Sequence, residues 1–139
     1  MKNTKTGALL LTMAFCLVLG CGRVYGPVEL SKAFAEEKEE VITEMGKKLE
    51  ANPTESGVDE ARKVFEAKKD SLKAKRDAIK ASPRALNVDW ETVLSATEAR
   101  HEQMMDAIGT KFSVACYSDS CTRKWSALEK DFKETVNRY

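Results

Sequence analysis

VDEARKVFEAKKDSLKAKRDAI, residues 58–79, decides the fold. Val58, Phe65, Leu72 and Ile79 recur every seven residues, with Ala61 half-way through the first interval. That spacing gathers them into a narrow coiled-coil-like stripe on one helix and leaves the opposite face to water. Lys68 and Lys75 stand at intervening seam positions, so the stripe is thin. Ser82-Pro83 ends the run, because proline disfavours helix at the residue before it. A helix is expected over about Val58–Ala81. Thr54-Glu55-Ser56-Gly57 reads as the loop before it, with Ser56 as N-cap and Asp59 three positions on.

Three further helical patterns flank this one. Upstream, Leu30, Phe34, Val41, Met45 and Leu49, with Ile42 beside them, mark a helix from about Val28 to Ala51, interrupted at Glu37 and Lys38 and stopped by Asn52-Pro53. Downstream, Trp90, Leu94, Thr97, His101, Met104, Ile108 and Phe112 alternate by three and four. They give a continuous face that Asn87 or Asp89 can cap and that runs to about Ala115. Trp125, Leu128, Phe132, Val136 and Tyr139 mark a fourth, shorter helix. Strand-like alternation and internal repeats are absent from the sequence. The expected fold is all-α: a small bundle of three long helices plus a shorter C-terminal one, in antiparallel hairpins. Trp90, Trp125, Phe132 and Tyr139 are expected in its core rather than around a ligand.

Charge is divided by helix. From Glu29 to Glu60 ten acidic side chains face Lys32, Lys38, Lys47 and Lys48, whereas from Arg62 to Arg84 nine basic residues face Glu66, Asp70 and Asp77. Opposite signs on successive helices joined by a short loop favour their antiparallel pairing, and they set register more than stability. Over the whole chain the formal charge is only +1, which gives no electrostatic reason to expect a nucleic-acid partner. With 42% hydrophobic and 32% charged residues in 139, the chain is too apolar for disorder and too charged for a multispanning membrane protein.

The first twenty residues are of another kind. Lys2 and Lys5 precede an apolar run from Ala8 to Leu19 broken only by Thr12. It has the length of a secretory h-region and falls short of the ~20 residues that cross a bilayer as a helix. Val18-Leu19-Gly20-Cys21 follows, and this resembles the lipobox of bacterial lipoproteins. Gly20 and Cys21 match its strictest positions, while Cys16 competes poorly because bulky Phe15 precedes it. The resemblance covers about twenty residues and implies removal of residues 1–20 with acylation of Cys21. It also implies a lipidated tether over residues 21–27, and a domain over 28–139 held on the bacterial cell envelope. Dual acylation anchors stably, since each buried methylene contributes ~0.8 kcal/mol. Gly22, where an aspartate would favour the inner membrane, points to the outer membrane in a diderm host. The expected role is a non-enzymatic, membrane-anchored module that contacts an envelope protein, without nucleic acid and without a resident cofactor. The final Asn137-Arg138-Tyr139 lacks the lysine by which the major murein-linked lipoprotein attaches to peptidoglycan.

Cys116 and Cys121 remain after processing, in an oxidising compartment where disulfides persist. A continuous helix would separate them by about 7.5 Å in rise alone, beyond the ~7 Å limit between bridged Cα atoms. A bridge therefore requires a turn at Tyr117-Ser118-Asp119-Ser120, and closing so short a loop stabilises by roughly 2 kcal/mol. A C-x-x-C redox pair or a zinc site fits this spacing less well.

One histidine limits the chemistry. His101 has no Gly-x-Ser-x-Gly turn or free thiol to complete a hydrolytic triad, and phosphate-cradling glycine loops are missing. Glu98-Ala-Arg-His101 has the Glu-x-x-His spacing of carboxylate di-metal bundles, but a second such motif is lacking. Glu98 or Glu102 would have to supply any buried carboxylate pair for catalysis. The alternative to a contact module is a small-ligand or Cu(I)-type metal site on His101, Met104 and Met105, whose thioethers and imidazole suit that ion. Mass spectrometry of the processed chain should find an acylated N-terminus at Cys21; an intact Met1 on the cellular protein would contradict the lipobox reading.

Overall fold

The computed structural model describes residues 27–82 and 88–137. The signal sequence, Cys16, Cys21, Gly22, the Asn87 cap and Tyr139 lie outside the described residues, as does the side chain of Trp90. Four helices form among the described residues: α1 Pro27–Ala51, α2 Glu55–Ala81, α3 Val88–Ala115 and α4 Asp119–Val136. The described residues hold no strand, and the chain is a small all-α bundle of three long helices and a shorter fourth.

The boundaries have local causes. Pro27 opens α1 at the position where its missing N–H costs nothing, one residue earlier than the periodicity suggests. Glu29 in the first turn and Lys48 in the last complement the helix dipole. The expected cap of α2 is corrected: Ser56 is exposed inside the first turn, and Thr54 holds the cap position in extended backbone. The Thr54 hydroxyl donates to Asn52 Oδ1 at 2.7 Å instead of capping, so the Asn52-Pro53 corner takes the side chain that α2 would otherwise use. Gly57 follows because a Cβ there would collide with the Asn52 carbonyl oxygen.

The turn between α3 and α4 is also tighter than expected. Only residues 116–118 lie between the helices. The Ser118 hydroxyl oxygen accepts from the Cys121 N–H at 3.0 Å, which caps α4 and draws Asp119 and Ser120 into its first turn. Cys116 and Cys121 are disulfide-bonded, with Cα atoms 6.1 Å apart, and the bond clamps this corner.

Four faces meet in one core. α1 contributes Phe34, Val41, Ile42, Met45 and Leu49; α2 contributes Val58, Ala61, Phe65 and Leu72; α3 gives Met105 and Phe112; α4 gives Cys121, Trp125, Leu128, Phe132 and Val136. The interrupted face of α1 does not break the helix. Glu37 is instead drawn into the α1–α2 seam, where Ser71 Oγ and Lys75 Nζ donate to it at 2.8 and 2.5 Å and Lys68 stands at 3.7 Å. Burial works against ionisation of Glu37, yet these donors outweigh it and hold its carboxyl below the usual pKa.

Partners along each helix fix the topology. Glu39 and Glu50 of α1 pair with Arg100 and Lys111 of α3, so these two helices run parallel. Asp59 meets Lys124, Arg62 and Lys69 meet Asp131, and Arg76 donates to the carbonyls of Glu134 and Thr135, so α2 and α4 are parallel as well. The hairpins α1–α2 and α3–α4 lie side by side, in the cyclic order α1, α2, α4, α3. Consecutive helices α2 and α3 are therefore diagonal. Phe65 and Phe132 join the hairpins edge to face, with ring centroids 5.6 Å apart.

Gly57→Ala should lower stability by about 1–3 kcal/mol, because the collision is with backbone. Gly46→Ala, where a Cβ meets only the flexible end of Ile108, should cost clearly less. Urea denaturation of the two variants checks the difference.

Candidate functional site

α4 is the shortest of the four described helices, and its end opens a concavity. It stops at Val136, beside Arg76 of α2 and the middle of α3, while α1 and α3 continue past it. The resulting notch has a volume of about 360 Å³ and is lined by Lys38 of α1, by Glu98, His101, Glu102 and Met105 of α3, and by Phe132, Lys133, Glu134, Val136 and Asn137 at the end of α4. Glu98, His101, Glu102 and Met105 follow the i, i+3, i+4, i+7 pattern of a single helix face. That face carries both the polar and the soft side chains of the site.

His101 stands out within it. Its side chain is 1% exposed, and neither Nδ1 nor Nε2 has a hydrogen-bond partner. Glu39 Oε2 lies 3.6 Å from Nε2, too far for a hydrogen bond, and that carboxylate is engaged by Arg100. Burial, reinforced by the ammonium of Lys38, pushes the imidazole pKa below its usual value, and Glu39 only partly opposes this. The ring is therefore neutral at pH 7, with one nitrogen able to donate and the other to accept. His101 also lines a small void of about 10 Å³ with Ser31, Lys38, Thr97 and Glu98 among others, with room for no more than one water.

The three residues singled out in the sequence part company here. His101 and Met105 are both buried and both line the notch. Met104 is half-buried and packs against the core, as its place in the apolar stripe of α3 leads one to expect, but it lies outside the notch, which Met105 lines instead. The reason is rotational: Met105 lies four residues from His101 and Met104 three, and α3 turns its i+4 side toward α4. Glu98 and Glu102 both reach the notch, but among the described residues no group of three His, Cys, Asp or Glu side chains comes together as metal ligands. Lys38, 8% exposed, is a notch residue that periodicity alone did not place, because it reads as a break in the apolar face of α1. A charged residue at a face position of an otherwise regular helix was the available signal.

The opposite end of the bundle carries a second, apolar surface. A groove of about 240 Å³ between α1 and α3 is lined by Gly46, Leu49, Pro53, Ala107, Ile108, Phe112 and Ala115, with Glu50 and Lys111 at its margin. At the same end Val114 and Tyr117 are 65% and 89% exposed, the large hydrophobics left in solvent among the described residues. Neither lies on the apolar face that the α3 periodicity defines, so the pattern gave no warning of them. No helix among the described residues is long and apolar enough to cross a membrane. No protein-family model, curated protein or solved structure matches the chain.

The unpartnered imidazole gives a pH dependence whose sign follows from its lowered pKa. The unfolded chain takes up the His101 proton near the ordinary value of 6.5, above the folded value. Stability is thus complete above 6.5, falls as pH drops through it, and levels off below the folded pKa. Urea midpoints measured from about pH 7.5 to about pH 5.5 should fall for the native chain and stay nearly flat for His101→Leu. At neutral pH that variant should be about as stable as the native chain or slightly more so, since it removes two unsatisfied buried atoms. A native midpoint that rises on acidification would contradict this assignment.

Proposed function

We propose that the protein is a lipid-anchored module of the bacterial cell envelope that binds a partner protein with the end of its bundle farthest from the lipid. The observation that carries this is the exposure of Val114 and Tyr117 at the α3–α4 corner, beside the apolar groove between α1 and α3. An exposed tyrosine supplies a large apolar face and a hydroxyl at low entropic cost, and such residues dominate interface energies. The Cys116–Cys121 bond holds the corner rigid, so less freedom is lost on binding.

The place where α1 starts supports an orientation for such an anchor. α1 starts six residues after Cys21, at the end of the bundle opposite Val114 and Tyr117. Its 25 residues extend about 37 Å at 1.5 Å per residue. Acyl chains on Cys21 would hold the first turn of α1 near the membrane and present the apolar end away from it. With Gly22 after the acylated cysteine, the outer membrane of a diderm host is the compartment proposed.

A photocrosslinking amino acid at Tyr117 in intact cells should give one discrete adduct with an envelope protein, and the same probe at exposed Lys73 of α2 should not. Val114→Asp and Tyr117→Ala should each weaken the association about tenfold or more while leaving helicity unchanged. Identical adducts from both positions, or none from Tyr117, would contradict the reading.

A further inference from the structure

The notch at the end of α4 contains donors that the fold itself does not use. Cores are packed so that buried polar atoms find partners, and each exception calls for an explanation. His101 leaves both ring nitrogens unbonded at 1% exposure. Nε2 has the Glu39 carboxylate 3.6 Å away, beyond hydrogen-bond reach, and Nδ1 has no hydrogen-bond partner at all. One helical turn along α3, the thioether side chain of Met105 is buried in the same wall.

We infer that the notch binds a single soft monovalent metal ion of the Cu(I) class, held between an imidazole nitrogen of His101 and the thioether sulfur of Met105. This goes beyond the protein-contact reading and does not depend on it. Neutral imidazole and thioether are the donor pair that a soft d¹⁰ ion accepts in low coordination. Harder ions need more ligands than the site offers, since three His, Cys, Asp or Glu donors do not assemble among the described residues.

Charge in the notch is mixed. Glu98, Glu102 and Glu134 stand against Lys38 and Lys133, and α4 ends there with the negative pole of its dipole. Lys38 opposes a cation most directly, which favours a singly charged ion over a divalent one. Phe132 and Val136 close the apolar side and keep the donors out of bulk water.

The test uses the full chain in mild detergent, carrying Cys16→Ser and Cys21→Ser so that no N-terminal thiol competes. Ag(I) is the redox-inert probe and ascorbate-maintained Cu(I) the second. Calorimetry should show one equivalent bound with Kd on the order of 1 µM or tighter. The Met105 methyl signal should shift in ¹³C-methyl NMR. Met105→Leu, which conserves volume, should weaken binding about tenfold or more, His101→Leu should abolish it, and Met104→Leu should leave it unchanged. The inference is overturned if Ag(I) binds no tighter than about 100 µM, if Met104→Leu weakens binding as much as Met105→Leu, or if Zn(II) binds equally well. A His101→Leu protein that fails to fold leaves the Met105→Leu and Met104→Leu comparison decisive.

Discussion

Burial of the α2 stripe between α1 and α4 is the interaction on which the rest depends. Phe65 and Leu72 are fully enclosed, and Phe65 meets Phe132 of α4 edge to face. Each such side chain contributes about 1.5–3 kcal/mol on leaving water, against about 0–1 kcal/mol for an exposed ion pair. The seam therefore holds the hairpins together, and the pairs around it choose how. Glu37 with Lys68 and Lys75 sets the register of α2 on α1, and Asp131 with Arg62 and Lys69 sets α4 on α2. Lys69 also stands over the Phe65 ring at 5.2 Å, tying the ion pairs to the apolar seam.

The cyclic order α1, α2, α4, α3 has consequences for both surfaces of interest. Because α4 is short and parallel to α2, it ends part-way along α1 and α3 and opens the notch around His101. Because α1 and α3 are parallel, the 52–54 loop and the disulfide corner come to the same end, where the apolar groove and Tyr117 lie. A bundle with α2 beside α3 would separate these features. The proposed division of labour is thus spatial: lipid at the start of α1, a donor-lined notch part-way along, and a contact surface at the far end.

Much of the fold was legible in residues 28–136, because the apolar periods and the Asn52-Pro53 and Ser82-Pro83 stops are local signals. The disulfide was legible from the spacing of Cys116 and Cys121 and the turn-forming residues between them. Caps were less so: Thr54 and Ser56 are both competent, and the choice fell to the Asn52 side chain, a contact made only once the corner forms. Glu37 and Lys38 read as a break in α1 because periodicity weighs polarity alone. In the structure one is drawn into an ion network and the other into the notch wall. For the candidate site, His101 and the two methionines were visible, but only packing decided that Met105, and not Met104, shares its wall. The cyclic order of helices had no sequence signal, since it arises from long-range pairs such as Glu50 with Lys111.

Zero-length carbodiimide crosslinking followed by peptide mass spectrometry tests this arrangement most directly, because it joins carboxylates only to lysines already in contact. Links from Glu50 to Lys111, 3.2 Å apart, and from Asp59 to Lys124, 2.8 Å apart, are the predicted result. Abundant links between the middles of α2 and α3, with these two absent, would contradict it and remove the notch and the contact surface together.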